Sequence, residues 1–145
     1  MQLRFFEDVP ADPGTNVALR VINATSAAID VRQYPQGGTV PAAATWASVA
    51  PLSVSAFVTA PTGNIMYNVR AAGSATNLFA DLLALQGQPQ TVDIEGTPGT
   101  TRAGSAVTLV VYPPSTVGAR TPQTAAFLVP AGAYMWDRRP PRTSP

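Results

Sequence analysis

The amino-acid sequence predicts an all-β fold in which about eight or nine short antiparallel strands pack as two sheets, and three observations carry that expectation. Runs of four to eight residues alternate apolar and polar positions, as in Val17-Leu19-Val21, Ile29-Val31 and Ile65-Tyr67-Val69. Such a period of two places one row of side chains on one face of a strand. Eleven glycines and fifteen prolines punctuate these runs, which recur at roughly 8 to 14 residues, close to the strand spacing of a sandwich. Several runs are apolar at both parities, so a single sheet with one wet face would leave them exposed. Two packed sheets answer that.

The elements follow in chain order. Leu3 to Phe6 reads as a terminal strand, stopped by Pro10, Pro13 and Gly14, which do not extend a central strand or a helix. Asn16 to Tyr34 holds two alternating runs around the polar break Asn23-Ala24-Thr25-Ser26. The spacing predicts a hairpin there. Trp46 to Val49 is a short edge segment, and Leu52 to Thr59 is one half-buried strand with Leu52, Val54, Ala56 and Val58 on its inner face. Pro61-Thr62-Gly63-Asn64 is turn chemistry, which predicts a second hairpin into Ile65 to Arg70. Leu78 to Leu85 fits both helical and strand spacing. Its closure by Gly87 and Pro89 and its strand-like neighbours favour strand. Gln90 to Glu95, Ala106 to Tyr112 and Ala133 to Asp137 complete the set, with a further apolar run at Ala125 to Val129. The organisation is therefore residues 1–16 as N-terminal strand and linker, 17–137 as the sandwich and 138–145 as a Pro/Arg-rich tail.

Composition narrows the chemistry. A chain of 145 residues buries roughly 68–70% of its unfolded surface, enough for a core without cross-links. Cysteine is absent, so no disulfide framework exists. All nine basic residues are arginine, with no lysine and no histidine. The commonest general base, the Schiff-base amine and the favoured transition-metal ligand are missing together. The expectation is a non-enzymatic protein with no catalytic residues, no cofactor and no metal. A formal net charge of +1 gives no phosphate-binding patch. No apolar run approaches the roughly 18 residues of a membrane span, and Met1 to Asp8 lacks the apolar centre of a signal peptide.

Leu19-Arg20-Val21-Ile22-Asn23-Ala24 followed by Ile29-Asp30-Val31 resembles the opening strands of an uncharacterised bacterial secreted domain. Val58 to Gly63 with Tyr67-Asn68-Val69-Arg70 is similar to that family's next turn and strand, and Phe127 to Pro130 with Trp136 to Pro141 is similar to its closing segment. The resemblance implies an Ig-like or transthyretin-like sandwich on exported or cell-surface proteins, without enzymatic activity. It carries no catalytic residue across.

Candidate sites are few. Asn23-Ala24-Thr25 is an N-glycosylation sequon on the predicted hairpin turn. Thr97 to Ser105 and Ser115 to Thr124 have the composition of O-glycosylated spacers. Asp93 and Glu95 share a face if Gln90 to Glu95 is a strand, the arrangement an acid–base carboxylate pair needs and also that of two solvated carboxylates on an outer sheet face. Glu7, Asp8 and Asp12 offer oxygen ligands to calcium, although Pro10 and Pro13 restrict them. Trp46, Tyr67, Tyr34 and Trp136 would form a sugar-stacking platform if exposed, or core and rim packing if not. The termini are more distinctive. Residues 1–16 carry a formal −2 and residues 136–145 a formal +2, each beside aromatics. A subunit interface is expected at Leu3, Arg4, Phe5, Phe6, Glu7, Asp8, Tyr134, Trp136, Arg138, Arg139 and Arg142. There one end either docks on its own domain or adds to the sheet edge of the next copy and propagates a filament. The expected function is a structural subunit of an extracellular or cell-surface assembly, a homopolymer. The second expectation is a surface module that binds glycans.

Overall fold

The computed structural model describes residues 10–115 and 128–141. Nine strands are described: β1 (Val17–Asn23), β2 (Ile29–Pro35), β3 (Trp46–Val49), β4 (Ser53–Val54), β5 (Val58–Ala60), β6 (Ile65–Ala71), β7 (Asn77–Leu83), β8 (Ala106–Tyr112) and β9 (Ala131–Arg138). They form two sheets, as the apolar rows require. The first runs β4-β1-β8-β9, with β5 also paired to β1, and the second runs β3-β2-β6-β7. Val17, Leu19 and Val21 of β1 and Val107, Leu109 and Val111 of β8 share one core with Ile29, Val31, Tyr67 and Val69 of the second sheet. All of these are fully buried. Leu78 to Leu85 is strand, as read, over Asn77–Leu83.

The connections differ from the sequence reading. β1 and β2 belong to different sheets, so the chain between them is a crossover arch and not a hairpin. Alternation identifies which residues face the core, but an arch and a hairpin alternate alike. Asn23 holds the arch. Its Nδ2 donates to the carbonyls of Ala27 (2.8 Å), Val49 (2.9 Å) and Ala50 (3.2 Å), while its Oδ1 accepts from the Thr25 amide and hydroxyl. Asn23 is 0% exposed, and a sugar on Nδ2 would break these bonds. The folded arch has no place for the glycan that the sequon suggests.

Pro61 to Asn64 likewise crosses between sheets, from β5 to β6. The expected strand Leu52 to Thr59 is two short ones, interrupted where the Trp46 indole donates to the Ala56 carbonyl (3.0 Å). Leu52 lies outside both and is exposed, with φ at 52°. β1 and β8 are parallel, Ala18 to Asn23 against Ala106 to Val111, whereas the sequence predicts only antiparallel pairs. Ala106 to Val111 is buried at every position, as the nearly unbroken apolar run of a strand covered on both faces requires.

Gln90 to Glu95 is not a strand. It is the outer part of a loop closed by a bridge between Gln88 and Thr97, with a tight turn in which the Thr91 amide donates to the Ile94 carbonyl. Val92 is 92% exposed and Ile94 is also exposed. With Pro89 before it and no neighbouring strand, the alternation of this run has no sheet to serve. At the loop's base Gly99 lies against Gly87, where an added Cβ would sit 2.1 Å from the Gly87 nitrogen. Only glycine fits that approach.

Candidate functional site: the β9 edge

Among the described residues β9 is the last strand of its sheet and pairs with β8 alone, from Tyr112 with Ala131 through Val107 with Trp136 and then Ala106 with Arg138. Alternate residues of such a strand turn their N–H and C=O groups outward. No described strand receives them. Gly132 and Tyr134 face the core, where a Cβ on Gly132 would come within 2.6 Å of Leu82 Cδ2 on β7, so glycine lets the two edges close on one another. Trp136 shares their parity but lies at the rim, 50% exposed; Met135, on the other face, is 46% exposed. Leu128 and Val129 just before the strand are exposed as well. This is an apolar rim along an open edge.

Tyr134 belongs to an aromatic row across the core. Its ring lies 6.1 Å from Tyr67, which lies 6.3 Å from Trp46, within the range of favourable ring contacts. Burial pushes both phenols well above the usual tyrosine range, and the Tyr134 charge would raise Tyr67 further. Both therefore stay protonated at any physiological pH. Among the described residues neither hydroxyl has a hydrogen-bond partner.

The C-terminal end of β9 is pinned by charge. One extra residue, Asp137, is accommodated between the Val107–Trp136 and Ala106–Arg138 pairs. This bulge aims its carboxylate at Arg20 Nη2 and at the Thr108 hydroxyl, which donates to it. Arg20 Nε donates to Thr108 (2.8 Å) and the guanidinium lies 4.5 Å from the Phe57 ring centroid. Beyond the bulge Arg138 pairs with Asp12 at 2.8 Å and Arg139 with Glu95 at 3.2 Å. Of the two oppositely charged ends, Asp12 and Arg138 thus meet within one chain.

Two clefts flank this region. One of about 410 Å³ lies among Thr15, Gln90, Glu95, Arg102, Arg139 and Pro141. The other, about 380 Å³, opens between Leu83, Leu85, Gln88, Thr97 and Tyr134.

Of the expected interface residues, the structure gathers Tyr134, Trp136, Arg138 and Arg139 at this end of the molecule. Leu3, Arg4, Phe5, Phe6, Glu7, Asp8 and Arg142 lie outside the described residues, as do the terminal strand, most of Ala125 to Val129 and all of Ser115 to Thr124 but Ser115 itself. In the other hydroxyl-rich loop Thr100 and Ser105 are fully buried, where no sugar could be attached. The Asp12 carboxylate is engaged, accepting from the Gly14 amide and pairing with Arg138. Asp93 and Glu95 sit on the loop and not on one strand face. The sugar platform is not formed, because Trp46, Tyr67 and Tyr34 are buried and Trp136 alone is half exposed. The sequence reading also missed Asp137 and Arg20 as a pair. Their signal was a charge at an otherwise apolar position in each of two strands.

No family model and no curated protein matches the chain. The resemblance to a secreted domain rests on the sequence motifs alone.

Proposed function

We propose that this chain is a non-enzymatic structural subunit of an extracellular or cell-surface assembly, joined to further copies of itself through the β9 edge. The observation that carries the reading is the edge: a long strand whose outer backbone groups meet no other described strand, lined by half-exposed Met135 and Trp136. Such an edge pairs readily with another strand unless it is covered or guarded. Composition supports the same reading, since only 12% of residues are charged and histidine, lysine and cysteine are absent.

The joint sits on the edge and not in an exchange of charged termini, because Asp12 and Arg138 already pair within one chain. A glycan-binding role loses its support with the burial of three of the four aromatics. Light scattering and electron microscopy of the purified chain test the reading. The expected result is association that grows with concentration, and particles that remain single at every concentration would refute it.

A further inference from the structure

The partner of the β9 edge can be read from its own sequence. We propose that β9 pairs antiparallel with β9 of a second copy about a two-fold axis at Tyr134, so that the β4-β1-β8-β9 sheet continues into its twin. This rests on the self-association proposed above and names its joint.

Size complementarity sets the register. Centred on Tyr134, antiparallel pairing puts Gly132 opposite Trp136 and Ala133 opposite Met135. On the outer face a small residue then meets a large one at both Ala133–Met135 pairs, while Gly132 keeps its contact with Leu82 on the core side. The N-terminal half of the strand, Ala131 to Ala133, carries the small side chains, and Met135 and Trp136 in the other half are left half exposed.

Charge sets the direction. The charged residues of β9, Asp137 and Arg138, are both at its C-terminal end. A parallel pair in register would set Arg138 against Arg138, a destabilising arrangement of like charges. The antiparallel pair sets Asp137 opposite Ala131, and Asp137 is already engaged by Arg20 and Thr108. Other described edges compete poorly. β4 has two residues, β5 three and β3 four with a register shift, and β7 is broken by bulges. Among the described strands β9 is the one long straight edge, and its pairing with its own twin is isologous.

The absence of native cysteine makes the joint directly testable. Directly opposed residues of an antiparallel pair have Cα atoms about 4.5–5.5 Å apart, within the ~4.4–6.8 Å range of disulfides. Ala133→Cys and Met135→Cys chains carrying different tags are mixed and mildly oxidised, with Phe5→Cys as the alternative partner. The expected product is a mixed disulfide of A133C with M135C, formed several-fold faster than A133C with itself. Met135→Lys, in a chain that keeps its circular dichroism spectrum, is expected to weaken association about tenfold or more in sedimentation. Cross-linking of M135C to F5C instead, or association unchanged by M135K, overturns this joint while self-association stands. A native chain that sediments as a monomer throughout overturns both.

Discussion

β7 and β9 close the same side of the sandwich, packed together through Gly132 and Leu82, yet they meet solvent differently. β7 carries two irregularities in seven residues. Ala80 and Asp81 together oppose Asn68, and Leu78 is extra between the Phe79 and Asn77 pairs. Asp81 takes a left-handed φ of 56° and accepts a hydrogen bond from the Tyr34 hydroxyl, so a charge sits in the middle of the edge. β9 is regular from Ala131 to Trp136 and is interrupted only near its end. Bulges and charges blunt an edge. Among the described strands, one edge is blunted by its backbone and the other runs regularly with no strand beside it.

Substitutions at four positions break or sharpen this contrast, from the largest expected effect to the smallest. Asp137→Ala removes the carboxylate facing Arg20, whose side chain is 7% exposed. Breaking such a buried pair costs about 3–5 kcal/mol, which urea unfolding would read, and it loosens the end of β9. Gly132→Val drives a branched side chain into Leu82 and Leu109, costing about 1–3 kcal/mol by overpacking. A thermal midpoint unchanged by G132V would mean that β7 and β9 are not held this closely.

Asp81→Val strains a left-handed position and loses the Tyr34 bond, costing about 1–2 kcal/mol. Asp81→Gly is expected to recover the strain component, and equal losses in the two variants would place the cost elsewhere. The smallest effect is alkaline. Burial, followed by the bond to Asp81 and its charge, raises the Tyr34 pKa from 10.0 to about 12. The folded state therefore keeps a proton that the unfolded chain releases, so this contribution is whole below pH 10 and falls away between pH 10 and about 12. Tyr67 and Tyr134 act in the same direction. Tyr34→Phe should flatten part of the alkaline decline in stability, and an unaltered profile would count against the Tyr34–Asp81 contact.

The apolar rows of Val17-Leu19-Val21 and Ile65-Tyr67-Val69 were legible because burial on one face writes a period of two into the sequence. Their assignment to sheets was not. Asn23 to Ala28 looks like a hairpin turn, and its role as an arch depends on the Val49 and Ala50 carbonyls, which approach only in the folded molecule. Gln90 to Glu95 shows the converse, alternation without a partner strand. The aromatic and basic character of the β9 end was visible as Tyr134, Trp136, Arg138 and Arg139. That it forms an edge follows from which strand lies beside β8, and nothing local encodes it.

The parallel pairing of β1 with β8 also has a consequence for synthesis. Arg20 meets Thr108 across 88 residues of chain. At ribosomal speeds of ~5–20 residues per second, that interval lasts roughly 4–18 s. Throughout it β1 has emerged with one flank still unpaired. The completed core waits for nearly the last strand, so a chaperone that shields Val17 to Asn23 during this interval should raise the yield of folded chain.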